Sequence, residues 1–154
     1  MNLTKKITLI IFSVVFAMVL TSCEDKKDDL PETAELSGMI TFIGDWPTTG
    51  TIYLSVQTAW PPMVAPYAAM TISADMLSDG AYDYSFTDVA FGSYPAITVS
   101  WLDPNDNNPA TNQHTIGAYG GTAQAGFMDA TNIIVDAENA TKSDLDFSAD
   151  FSIL

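Results

Sequence analysis

From Asp144 to Phe151 the sequence alternates strictly: Leu145, Phe147, Ala149 and Phe151 fall on one side, Asp144, Asp146, Ser148 and Asp150 on the other. Successive side chains of a strand point to opposite faces, so this pattern fits a strand with one face in a core and the other in water. A helix would scatter the same residues around its whole circumference. The alternation recurs, with β-branched and aromatic enrichment, at Gly38–Ile43, Ile52–Gln57, Ala69–Ala74, Tyr82–Thr87, Ala96–Leu102 and Asn132–Asp136. Turn-forming residues separate these runs: Gly44-Asp45, Pro47 to Gly50, Asp79-Gly80, Gly92-Ser93, Asp103 to Pro109 and Gly120-Gly121. No stretch after Cys23 sustains a helical apolar period. The expectation is an all-β fold, a single antiparallel β-sandwich of about seven strands, with any helix confined to a turn near Thr58–Pro66 or Ala74–Leu77.

The N-terminal stretch follows a different rule. Lys5 and Lys6 precede an apolar run from Ile7 to Leu20 that only Thr8 and Ser13 interrupt, the layout of a secretory signal. A permanent membrane-crossing helix needs roughly 20 apolar residues, and this run is shorter, so it reads as a segment that is removed. It closes on Leu20-Thr21-Ser22-Cys23, which resembles the lipobox of bacterial lipoproteins. The resemblance implies diacylation of the Cys23 thiol, cleavage between Ser22 and Cys23, and acylation of the new amine. Each buried methylene is worth about 0.8 kcal/mol, so two or three chains anchor a protein that one chain holds only marginally. An ordinary secretory signal with an incidental Cys, or an uncleaved anchor, is the plainer alternative.

Glu24 to Glu35 is charged, carries Pro31 and has too little apolar surface to fold alone. Its start, Cys23-Glu24-Asp25-Lys26-Lys27-Asp28-Asp29, resembles the acidic export tag of some outer-membrane lipoproteins, which implies outer-membrane placement and surface display; a solvated spacer on a periplasm-facing anchor is the alternative. The expected organisation is a signal peptide at 1–22, a lipidated Cys with an acidic tether at 23–35, and one domain at 36–154.

Charge narrows the partners. The chain has nineteen Asp+Glu against five Lys+Arg, a formal net charge of −14 and no Arg. Nucleic acid is therefore an unsuitable partner, because phosphate binding is driven by basic side chains. A single Cys excludes a disulfide framework. Partners that fit are the membrane through the lipid on Cys23, and a glycan, a peptide or another envelope protein.

Tyr84-Ser85-Phe86-Thr87-Asp88-Val89-Ala90-Phe91-Gly92-Ser93-Tyr94, after Leu36-Ser37-Gly38-Met39-Ile40-Thr41-Phe42, resembles the prealbumin-like sandwich of carboxypeptidase regulatory-like domains. The resemblance implies that Phe86 and Val89 plug the core, that Gly92 makes a turn a side chain would obstruct, and that Tyr94 starts the following strand. These are core and turn residues, so they speak to fold and not to activity.

Residues suited to catalysis are sparse. A nucleophilic triad would have to recruit His114, the one His, and no Gly-x-Ser-x-Gly turn is present. A small hydrolase is therefore the weakest of the functional readings, and no cofactor is required by any motif. Gly117, Gly120, Gly121 and Gly126 lack a phosphate-binding order and read as a loop. Asp103, Asn105 and Asn107 occupy positions 1, 3 and 5 of a loop, the oxygen-donor spacing calcium favours. Asn108 replaces the turn Gly and His114 the bidentate Glu of an EF-hand, so a polar turn satisfying its own backbone fits equally. Trp46, Trp60, Tyr67 and Tyr119 lie in or beside loops, where flat faces could stack on sugar rings or cap the core. A non-catalytic binding or structural accessory is the function expected, with a calcium- or carbohydrate-binding module as the alternative.

Overall fold

A computed structural model describes residues 30–154. Cys23, the expected signal segment 1–22 and the tether as far as residue 29 lie outside the described residues. The strand-built unit spans Pro31–Leu154. Its strands are β1 (Ala34–Ile43), β2 (Thr51–Gln57), β3 (Ala68–Ile72), β4 (Ala81–Val89), β5 (Gly92–Tyr94), β6 (Ala96–Leu102), β7 (Gln113–Ala118), β8 (Ile133–Val135), β9 (Thr141–Lys142) and β10 (Phe147–Asp150). Helix among the described residues is limited to three single 3-10 turns, at Ala74–Met76, Ala123–Ala125 and Phe151–Ile153. The first matches the expected turn at Ala74–Leu77; nothing helical forms at Thr58–Pro66. The all-β class holds.

Two four-stranded sheets and a ribbon carry the fold. The first sheet has the order β10-β1-β4, with β9 also pairing β1; the second runs β3-β2-β6-β7; β5 and β8 form the ribbon. The described strands number ten where about seven were expected, and three further expectations are corrected here. The pairing is not wholly antiparallel, because β10 and β9 both run parallel to β1, with Ile40 opposite Phe147 and Glu35 opposite Thr141. A parallel partner cannot arrive by a tight hairpin, and the chain reaches β10 only after building the second sheet. β1 starts at Ala34, inside the expected tether, and Ala34 and Leu36 are both buried. The third correction concerns Gly117, expected in a loop, which lies in β7. That strand lacks clean alternation because its pairing to β6 shifts between Val99 and Ser100, which leaves Ile116 unpaired.

One cluster of buried side chains draws on both sheets: Leu36 and Ile40 from β1, Leu54 and Val56 from β2, Ile97 and Val99 from β6. Each such side chain contributes roughly 1.5–3 kcal/mol on burial. Gly117 lets β7 approach β10 closely, since a Cβ there would meet the Ser148 carbonyl oxygen and lie 2.9 Å from Ala149 Cα. Phe86 and Val89 are buried in the cluster as the resemblance implies. Contrary to the expectation, Tyr94 ends β5 instead of starting the following strand, which begins at Ala96. Gly92 differs from the expectation: a Cβ at that position would meet nothing within 4 Å, so no side chain is obstructed there. The last strand stops at Asp150, whose carboxylate accepts the Ser152 backbone N–H at 2.8 Å and turns the chain into the final 3-10 turn.

Candidate ligand groove on the second sheet

β2 reads from sequence as half-buried, and the structure corrects this: Ser55 and Gln57 are buried on the face opposite Leu54 and Val56. In register across β6, Ser55 faces Thr98 and Tyr53 faces Ser100. Alternation puts Tyr53, Ser55, Gln57, Thr98 and Ser100 on one face of the sheet. The segment from Thr58 to Pro66 folds over that face. Its ends are tied down: the Tyr67 N–H donates to the Val56 carbonyl at 2.8 Å, and the Trp60 indole Nε1–H donates to the Phe127 carbonyl at 2.8 Å.

Burying hydroxyls and amides costs about 1–3 kcal/mol each unless they bond to one another. Here most do. Gln57 Nε2 donates to Ser55 Oγ at 2.8 Å and to Thr98 Oγ1 at 3.1 Å, and the two hydroxyls lie 3.2 Å apart. Both amide hydrogens of Gln57 are thereby used, which leaves Oε1 as its atom for an incoming donor. Ser100 is the exception: it is 1% exposed, and its Oγ is the one buried side-chain polar atom without a partner among the described residues.

Two cavities open between this face and its cover. One, of about 240 Å³, lies over Tyr53, Ser55 and Gln57 under Pro62, Val64 and Pro66. The other, of about 570 Å³, extends from Met63 and Ala65 to Pro109, Ala110 and Thr115. Pro62, Val64 and Gln113 line both, so the two form one continuous groove. Ser100 lines neither cavity, but it is paired to Tyr53 of the first on one side and to Thr115 of the second on the other. No Asp, Glu or Lys lines either cavity, and the four strands of the second sheet contain none. Against that, a cavity of about 390 Å³ on the first sheet is lined by Asp83, Asp144 and Asp146. Among the described residues acidic side chains thus line the first-sheet cavity and not the groove, whose lining residues Leu102 and Pro109 are joined by the loop that carries Asp103 and Asp106.

The residues singled out from sequence are placed elsewhere. Asp103 Oδ1 accepts the backbone N–H of Asn105 at 2.8 Å and its side-chain amide at 3.2 Å. Asp106 accepts from the Asn108 N–H and the Thr111 hydroxyl, and these bonds, with the Thr111 hydroxyl first, hold its carboxyl below the usual Asp range. The loop's oxygens therefore bind the loop itself, in the manner of successive Asx turns. Asn107 has no hydrogen bond in this set, and among the described residues no group of three or more His, Cys, Asp or Glu side chains is placed to hold a metal ion.

The four aromatics each have partners within the fold. Trp46 packs edge-on against Phe42 and Phe151, with ring centroids 5.2 and 5.1 Å away, and helps cap the core. Trp60 is held to Phe127 as described. Tyr67 packs on Tyr94, donates its hydroxyl to the Asp88 carbonyl at 3.3 Å and accepts the Ala90 N–H at 2.9 Å. It thereby clamps the bulge at the end of β4, where Asp88 takes a positive φ of 56°. Tyr119 is half-buried against the core cluster. His114 lies tilted over the Trp101 ring, 5.5 Å between centroids.

Sequence reasoning passed over Ser55, Gln57, Thr98, Ser100 and Gln113. The available signal was the absence of any charge from Thr51–Gln57 and Ala96–Leu102 in so acidic a chain. Comparison with family models, with curated proteins and with solved structures finds no match to this chain.

Proposed function

We propose that the chain is a lipid-anchored protein of the cell envelope, held in the outer membrane and displayed at the surface by acyl groups on Cys23. Its strand-built unit is a prealbumin-like β-sandwich acting as a non-catalytic binding or structural accessory. The anchor rests on Leu20-Thr21-Ser22-Cys23 directly behind the apolar run. The sandwich reading is supported by the shared core of the two sheets and by the approach of Gly117 to β10. The observation that carries the binding role is the charge-free groove over a buried polar floor, because a surface with only a structural task has no need to bury Ser55, Gln57, Thr98 and Ser100.

Growth with an alkyne-bearing fatty acid tests the anchor: label should enter the wild-type chain and vanish in Cys23→Ser, and an unlabelled wild-type chain overturns it. A serine-reactive probe that labels the chain and loses its target in His114→Ala would overturn the non-catalytic role.

A further inference from the structure

We infer that the groove between the second sheet and the Thr58–Pro66 cover is a binding site for a neutral carbohydrate. The inference rests on the reading of the chain as a non-catalytic binding module and names the ligand class of that same surface. Charge comes first. The described residues of this strongly acidic chain bring no Asp, Glu or Lys to either cavity of the groove, so the lining holds no ionic partner for a charged group. A ligand taken up there is neutral.

The kind of hydrogen bonding comes second. β2 and β6 are interior strands whose backbone N–H and C=O groups are engaged with neighbours on both sides. A peptide lying over these two strands would find their backbone donors and acceptors already taken. What the groove offers instead is side-chain hydroxyl and amide: Tyr53, Ser55, Gln57, Gln113 and Thr115. Such groups both donate and accept, as sugar hydroxyls do. The opposite wall, Pro62, Val64 and Pro66, supplies apolar surface for the C–H faces of a ring.

The third observation is Ser100. Its hydroxyl is buried, unpartnered and turned by the strand register toward the groove side of the sheet. An unsatisfied buried hydroxyl is destabilising on its own account and calls for a partner. A water held beneath a sugar, or a sugar hydroxyl reaching between Tyr53 and Thr115, would complete it.

The full acylated chain in detergent is titrated with neutral hexasaccharides of glucose, mannose and xylose in α and β linkage, with oligogalacturonate as the acidic comparator and a neutral hexapeptide as the peptide comparator. Binding to at least one neutral saccharide, with the acidic and peptide probes silent, is the expected result. Gln113→Ala removes one hydrogen-bonding side chain and should weaken that binding about threefold to tenfold. Val64→Asp places a charge on the wall and should abolish it. Gln113 and Val64 are both exposed, so their variants should melt with the wild type, and Ile134→Ser on the ribbon should bind unchanged. No neutral saccharide bound, equal binding of oligogalacturonate, preferential binding of the hexapeptide, or affinity indifferent to both variants each overturns the inference. Failure of the module reading looks different: the bound saccharide would be cleaved, and shorter products would appear on chromatography.

Discussion

Gly117→Ala and Gly92→Ala are the same chemical change, yet their effects should have opposite signs. At Gly117 the added methyl meets backbone: it would collide with the Ser148 carbonyl oxygen and lie 2.9 Å from Ala149 Cα and 3.1 Å from Ala149 Cβ. Those atoms cannot swing aside, because β10 is locked to β1 in four register pairs from Ile40–Phe147 to Ile43–Asp150. Overpacking of this kind costs about 1–3 kcal/mol. Replacing Gly also restricts the unfolded chain, which returns about 0.4–1 kcal/mol. The net expectation is destabilisation by about 1–2 kcal/mol, a fall in Tm of about 3–8 °C. At Gly92 the methyl meets nothing within 4 Å and the backbone is outside the left-handed region, so only the unfolded-state effect remains and the variant should gain about 0.4–1 kcal/mol. Urea unfolding followed by tryptophan fluorescence reads both, as midpoint shifts at unchanged slope. A Gly117→Ala chain as stable as the wild type would refute the close approach of β7 and β10, and with it the packing of one sheet on the other.

Tyr67→Phe removes the hydroxyl that links the Asp88 carbonyl to the Ala90 N–H; a loss of about 1 kcal/mol in thermal or urea unfolding is expected, and an unchanged midpoint would show that the bulge holds without its clamp. Since Asp103 already bonds to Asn105, millimolar calcium should leave Tm unmoved, whereas a rise of about 5 °C would mean that a cation displaces those bonds. Acid should weaken the fold. Asp75, Asp106, Asp129, Asp136 and Asp150 are each held below the usual value of 3.8 by Ser, Thr or Asn side chains and backbone N–H groups. A depressed carboxyl contributes stability above its unfolded pKa and loses it as pH falls through its folded one, so stability should decline from about pH 4 downward and more shallowly in Thr122→Val, which strips the hydroxyl from Asp129; a decline as steep as in the wild type would contradict the assignment.

The strands were legible wherever one face met water. Asp144–Phe151 and Tyr82–Thr87 show the alternation plainly because their outward positions carry polar or charged side chains; in Gly38–Ile43 only Thr41 does, since Met39 and Ile43 are exposed apolar residues. β7 was not legible, since a bulge at Ile116 breaks its period and Gly117 serves packing rather than a turn. The parallel pairing of β10 with β1 leaves no trace in composition, because side-chain alternation is the same in either direction. The groove escaped for a related reason. Ser55 and Gln57 look like water-facing residues until the Pro62–Pro66 segment is laid over them, and that is a tertiary fact. Aromatics drew attention instead, yet Trp46, Trp60 and Tyr67 are occupied with Phe151, Phe127 and Asp88.

Placement at the membrane is the claim on which the proposed role depends, and the mass of the first tryptic peptide from membrane-extracted protein measures it directly. The account predicts a peptide beginning at Cys23 and heavier than its residues by two or three acyl groups. An unmodified thiol at Cys23, or a chain that still carries residues 1–22, would contradict it.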